Sequence, residues 1–198
     1  MPAIPNTSDA GKRLPRVPTA WRNAVATVLI SEKNLRNRIT ELSKEITRDY
    51  LNADLVIVSL LRGSLFFTAD LIRQIPLPME LDFLGVSSYR NGTNPGLLTI
   101  TKELELNITG RDLLLIDDIL DTGQTLSFVH QKLNELHPKS LKSCVLLDKP
   151  ARRSHPVTSD YTGFVIPNQF VVGYGMDYKE RFRNLPFIGV LRSEFFPS

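Results

Sequence analysis

The sequence predicts an α/β fold with a parallel central sheet flanked by helices, and two observations carry that expectation. Short, uninterrupted apolar runs recur along the chain, and polar, glycine-bearing turns followed by apolar residues at helical spacing come after two of them. A strand that reads as a continuous apolar run is buried on both faces, which is what helices covering both sides of a parallel sheet produce.

Taken in order, Ser31 reads as an N-cap, and Leu35, Ile39, Leu42, Ile46 and Tyr50 follow at spacings of three and four. That is the stripe of an amphipathic helix. Leu55 to Leu60 is the first buried strand, Leu61-Arg62-Gly63-Ser64 its turn, and Leu65 to Ile75 the helix after it. Asp112 to Ile119 repeats the strand and Asp121 to Thr125 the polar turn. Leu126, Val129, Leu133 and Leu136 then form a second helical stripe, which ends at Pro138, and Leu141 to Leu147 is a further strand. In open sheets of this kind ligands sit at the carboxyl ends of the strands, where these turns fall. Between Leu84 and Thr109 the pattern weakens, and Ser87-Ser88-Tyr89-Arg90-Asn91-Gly92-Thr93 is its most polar part, as expected of a mobile functional loop.

The 198 residues suit one domain with a small subdomain, read as 21–198 behind a loosely ordered extension over 1–20. A hydrophobic content of 42% and a charged content of 23% are those of a soluble globular chain. No apolar stretch is long enough to cross a bilayer, and the proline-bearing N-terminus lacks the apolar core of a secretory signal. Cys144, the only cysteine, sits in an apolar run, so it reads as a buried small hydrophobe in a reducing, cytoplasmic setting. The net charge of +3 comes from scattered basic residues. Without a basic run it fits a small anionic substrate as well as it would nucleic acid, and no nucleic-acid or membrane partner is expected. His130, His137 and His155 read as structural or solvent-facing.

The chemistry is concentrated in Leu113-Leu114-Leu115-Ile116-Asp117-Asp118-Ile119-Leu120-Asp121-Thr122-Gly123-Gln124-Thr125-Leu126. Two adjacent acids at the end of a buried strand are costly unless a cation or hydrogen-bond donors meet them, and sugar hydroxyls with a divalent metal would. The turn that follows opens a helix, whose unpaired N–H groups suit a phosphate. Gly123 lets the backbone approach closely, and the Thr122 and Thr125 hydroxyls add donors. Asp, Thr and Gly are also ordinary turn residues, so a short match would mean little; the full fourteen residues mean more. The nucleoside-triphosphate Gly-x-x-x-x-Gly-Lys loop is absent.

This segment resembles the phosphoribosyl pyrophosphate signature of the type I phosphoribosyltransferases, and residues 30 to 192 are most similar to the bacterial hypoxanthine-guanine members. The resemblance implies the type I fold, with a small hood built from N- and C-terminal segments and a flexible active-site loop. It implies Mg2+ as cofactor, phosphoribosyl pyrophosphate and a 6-oxopurine base as substrates, and a homo-oligomer, dimer or tetramer. By the same resemblance, Arg62 and Gly63 belong to a pyrophosphate loop with a cis peptide at Leu61–Arg62, and Ser88 and Tyr89 to the loop that closes over the reaction centre. Asp117 and Asp118 meet the ribose and the metal, Thr122, Gly123, Gln124 and Thr125 hold the 5′-phosphate, and Asp121 exchanges the proton at position 7 of the purine. Lys149 donates to the 6-oxo group, Phe170 stacks on the base, the Val171 backbone meets its edge, Asp177 serves the metal through water, and Arg183 reaches the pyrophosphate.

Three positions depart from the common pattern: Asp117 where many relatives carry glutamate, Gln124 in place of a basic residue, and Arg62 in place of lysine. Two rival readings follow from different premises. One is a phosphoribosyltransferase for xanthine, adenine, orotate or uracil; Lys149 and the Phe170 segment speak against adenine, whose amino group an ammonium cannot accept from, and against the pyrimidines, but they do not exclude xanthine. The other is a non-catalytic regulator on the same fold, for which the N-terminal Lys12, Arg13 and Arg16 offer no DNA-binding pattern.

Overall fold

The computed structural model describes residues 17–21, 23–88 and 98–195. Strand β1 (Val25–Ile30) leads into helix α1 (Glu32–Asp49), then β2 (Leu55–Leu61), α2 (Leu65–Ile72), β3 (Met79–Ser88) and β4 (Leu98–Lys102). The second half runs β5 (Asp112–Leu120), α3 (Gln124–Asn134), β6 (Ser140–Asp148), β7 (Tyr161–Val165), β8 (Val171–Val172) and β9 (Ile188–Leu191). The main sheet has the order β4-β3-β2-β5-β6-β7; all its pairings are parallel except β3–β4 at the edge. A smaller antiparallel sheet, β1-β9-β8, draws its strands from both ends of the described chain and forms the hood.

The continuous apolar runs become the sheet centre because alternate residues serve opposite faces. Leu55 and Ile57 of β2, with Leu114 and Ile116 of β5, join the core beneath α1 and α2. Val56, Val58 and Leu60, with Leu113 and Leu115, join a second core beneath α3. The Ser31 hydroxyl caps α1 by accepting from the Asn34 amide at 3.2 Å, a contact worth about 1 kcal/mol. Leu35, Ile39, Leu42 and Ile46 are the buried stripe of α1, as their spacing predicts.

Several elements differ from the sequence expectation. The helix after Gly63 stops at Ile72 rather than Ile75, and the one after Gly123 stops at Asn134, with His137 at a positive φ of 54° before Pro138. The weakly patterned stretch from Leu84 holds the second half of β3, which faces β4 at the edge and is only partly buried. Val17, inside the expected extension, is buried with Ala24, Phe182 and Leu191, so packing begins before residue 21. Tyr89, Gly92 and Thr93 lie outside the described residues, as does the side chain of Ser88. No helix among the described residues is long and apolar enough to cross a membrane.

Candidate active site

From β2 the chain proceeds outward to β3 on one side, while β5, β6 and β7 extend the sheet on the other. The carboxyl ends of β2 and β5 therefore flank the point where strand order reverses, which is where open α/β sheets bind ligands. Asp117 and Asp118 stand near the end of β5, and the 121–125 turn follows directly. Together with Ile119, Leu120 and Leu126 these residues line a pocket of about 240 Å3 from which the Gln124 side chain is absent.

Opposite it, the Leu61–Arg62 peptide is cis, as the resemblance implies. Gly63 packs close against Asp118, since a Cβ there would run into the carboxylate and displace it. Beneath this loop the buried Ser59 hydroxyl sits 2.8 Å from Ser64 Oγ and 2.7 Å from Thr68 Oγ1, and Ser64 also donates to the Leu60 carbonyl. Each of these three hydroxyls is thereby paired, as buried polar groups must be.

The two acids are poorly compensated. Burial pushes the Asp117 carboxyl well above the ordinary carboxylate range, and the charge of Asp118 beside it pushes further. Burial raises Asp118 as well, partly offset by a hydrogen bond with Asp117 and by the charge of Arg183. Among the described residues neither carboxyl has an ion-pair partner. A pair of this kind suits a divalent cation or sugar hydroxyls, so the donor set fits magnesium, which takes carboxylates and keeps waters. No group of three His, Cys, Asp or Glu residues among those described could hold a metal by itself. A cation here would need substrate oxygens as well.

At the turn, Gly123 takes a φ of 86°, and its α-carbon faces Val157, the Arg153 side chain and the His155 carbonyl. Only glycine meets both demands without strain. The Thr122 hydroxyl accepts from the Gln124 amide at 3.3 Å. Asp121 faces two cations: Oδ2 lies 3.1 Å from Arg152 Nη1 and 3.8 Å from Lys149 Nζ. Its Oδ1 is buried and accepts no hydrogen bond among the described residues. Lys149 is only 5% exposed, and burial lowers its ammonium below the ordinary lysine range, with Asp121 opposing that shift.

The remaining expected residues sit in the hood. Val171 is buried in β8, whereas Phe170 is 41% exposed, with its ring edge-on to Tyr178 at 5.7 Å between centroids. Arg183 Nη2 pairs with Asp177 at 2.8 Å and Glu180 at 3.0 Å, while its Nη1 donates to the Gly175 carbonyl at 2.8 Å. Glu180 also pairs with Arg62 at 2.9 Å, which joins the hood to the Gly63 loop. Arg183 lines a second pocket of about 550 Å3 with Phe66, Asp70 and Tyr174; Phe170, Val171 and Asp177 line neither pocket. His130 is half-buried on α3, His137 is exposed, and His155 Nδ1 lies 3.1 Å from the Ser154 hydroxyl. The sequence reading did not single out Arg152, Arg153 or Glu180. Two arginines after a strand and a glutamate in a turn look like surface residues until their distant partners are seen.

The sheet order, with the paired acids and the glycine turn at the end of β5, is that of the type I phosphoribosyltransferase fold. The model of the phosphoribosyl transferase domain matches residues 30–179, and the chain belongs to that family. Among named relatives, it is 46% identical over 178 residues to the bifunctional protein TilS/HprT of Listeria innocua, covering 89% of this chain but only 28% of that protein. It is 43% identical over 178 residues to the hypoxanthine-guanine phosphoribosyltransferase of Bacillus subtilis, covering 89% of this chain and 99% of that one. The solved hypoxanthine phosphoribosyltransferase of Staphylococcus aureus superposes with a TM-score of 0.86 at 41% identity, covering 92% of this chain and all of the other.

Proposed function

We propose that this chain transfers the 5-phosphoribosyl group of phosphoribosyl pyrophosphate to hypoxanthine or guanine, forming IMP or GMP and pyrophosphate. The single observation that carries this reading is Asp121. Its unpaired Oδ1 and its neighbour Lys149 put a proton acceptor and a buried donor side by side, next to the 121–125 turn. A 6-oxopurine presents that complement, an N–H at position 7 beside the oxygen at position 6. Adenine presents an amino group in place of the oxygen, and Lys149 has no acceptor for it.

In the reaction, pyrophosphate leaves the anomeric carbon as a purine nitrogen attacks, and the sugar becomes oxocarbenium-like. The amides and hydroxyls of Thr122, Gly123, Gln124 and Thr125 hold the 5′-phosphate, and Asp117 and Asp118 face the ribose hydroxyls. Magnesium would be held by Asp117 and Asp118 together with substrate oxygens, with Asp177 reaching it only through water, and would supply positive charge toward the departing pyrophosphate. Arg183 and the loop amides around Gly63 stabilise the same developing charge. Phe170 stacks on the base, the Val171 backbone meets its edge, and Lys149 fixes the oxygen at position 6, so the base arrives oriented. Asp121 takes the proton from position 7. The segment with Ser88 and Tyr89 excludes water, which would otherwise hydrolyse the activated sugar.

The family resemblance also supports a homo-oligomer, dimer or tetramer, and Leu65 and Phe66 offer exposed apolar surface on α2 for it. The testing experiment supplies phosphoribosyl pyrophosphate and magnesium with hypoxanthine, guanine, xanthine, adenine or uracil separately and follows nucleotide formation. IMP and GMP with no AMP or UMP support the reading, and xanthine marks the breadth of the pocket. Binding of phosphoribosyl pyrophosphate without product from any base would favour a ligand-sensing regulator instead.

A further inference from the structure

The segment after β6 grips the 121–125 turn through three successive carbonyl groups. The Leu120 carbonyl accepts from the Lys149 amide at 2.9 Å and from Arg153 Nη2 at 3.2 Å. The Asp121 carbonyl accepts from Arg153 Nε at 3.1 Å. The Thr122 carbonyl accepts from the amides of Ser154 at 3.0 Å and His155 at 3.1 Å. A trans peptide is planar, with its N–H directed opposite to its C=O. Fixing these carbonyls therefore turns the amides of Asp121, Thr122 and Gly123 away from the 149–155 segment. Successive amides freed in this way are what a phosphate accepts from.

Arg153 is the centre of that grip. Besides the Leu120 and Asp121 carbonyls, it donates from Nη1 to the Val157 carbonyl at 2.7 Å and pairs through Nη2 with Asp148. All three of its nitrogens are engaged, and the side chain is 18% exposed. Asp148 ends β6 immediately before Lys149, so one guanidinium ties together the end of β5, the turn, and the strand that delivers Lys149. A lysine in its place would offer one nitrogen on a flexible stem and could not span these acceptors.

We infer that Arg153 is a positioning residue of the phosphate site. It acts through the turn, whose amides it orients by holding the Leu120 and Asp121 carbonyls. The inference rests on reading residues 121–125 as the cradle of the 5′-phosphate.

The test is a ligand truncation crossed with mutation. The ratio of the inosine Kd to the IMP Kd, both measured by competition, isolates what the 5′-phosphate contributes to binding. In Arg153→Met that ratio falls by at least about tenfold while the inosine Kd moves by less than about threefold, the pattern of a selective coupling. A merely structural arginine would weaken both ligands together or neither, leaving the ratio unchanged and overturning the inference. Arg153→Lys, which keeps the charge, carries the test if Arg153→Met does not fold, and the same fall is expected. Thr125→Val, a change in the turn itself, separates the two claims. If it lowers the ratio and the Arg153 variants do not, the cradle stands and Arg153 has no positioning role. If no variant changes the ratio, the cradle reading fails and the inference with it.

Discussion

Replacing Asp121 by asparagine tests the reaction at its proton. The amide keeps the volume of the carboxylate but accepts no proton, so Asp121→Asn removes the base together with one negative charge that faces Arg152 and Lys149. The stability cost has two parts. Oδ1 has no partner to lose among the described residues, and the Arg152 pair, with that side chain 49% exposed, is worth at most about 1 kcal/mol. The larger cost falls on Lys149, because the Asp121 charge 3.8 Å away opposes the effect of burial on that ammonium and asparagine removes it. General base catalysis contributes about 10² to 10⁴ in rate. Turnover should therefore fall by about 10² to 10⁴, or roughly 3–5 kcal/mol of transition-state stabilisation. KM for hypoxanthine should stay within about threefold, because binding contacts remain. Single-turnover measurement is the decisive assay, since slow product release would hide a chemical defect in kcat. A single-turnover rate within a few-fold of the unaltered protein would refute the assignment of Asp121 as base.

Three further outcomes are expected. Gly63→Ala drives a methyl group into the Asp118 carboxylate, so KM for phosphoribosyl pyrophosphate should rise more than about tenfold while the thermal midpoint moves little; an unchanged KM would show that the loop does not face the pyrophosphate. Lys149→Met should lose hypoxanthine affinity by about 1–3 kcal/mol, the cost of an unpaired 6-oxo group. Because burial lowers the Lys149 ammonium, purine affinity in the unaltered protein should decline with rising pH before the range of free lysine is reached; a flat profile up to pH 10.5 would contradict that. Asp82 is buried, which raises its carboxyl, but the amides of Leu106, Phe83 and Glu105 donate to it and Lys102 lies near, so it is held below the ordinary range. Its folded value thus lies beneath its unfolded value. The stabilisation is full above about pH 4, the unfolded carboxyl range, and is lost as pH falls through the folded value. Asp82→Asn should cost about 2 kcal/mol at about pH 7 by urea unfolding and less near about pH 2; a cost that does not shrink on acidification would rule out the charge as its source.

The strands that could be read from sequence are those whose environment is uniform. β2 and β5 are buried over most of their length and β6 over its second half, so each carries a short apolar run: Leu55 to Val58, Leu113 to Ile116 and Cys144 to Leu147. β1 mixes buried, partial and exposed positions without strict alternation, β4 has only partial and exposed ones, β8 has two residues, and β9 has four, so no periodicity could announce them. The phosphate turn was legible because its chemistry is local: acids, hydroxyls and glycine lie within nine residues of one another, and one backbone turn presents them all.

What the sequence determined by itself was therefore the central parallel sheet, the helix stripes, the acids and turn at the end of β5, and the family they resemble. Tertiary structure alone decided which distant residues serve that turn. Lys149 is brought to 3.8 Å from Asp121 by the parallel pairing of β5 with β6, and Glu180 reaches Arg62 across 118 residues of chain. Arg153 grips carbonyls more than thirty residues away. A backbone carbonyl has the same identity at every position, so no residue pattern marks which one a guanidinium will find. Burial, strand order and the direction of each peptide plane settle that, and they exist only once the chain has folded.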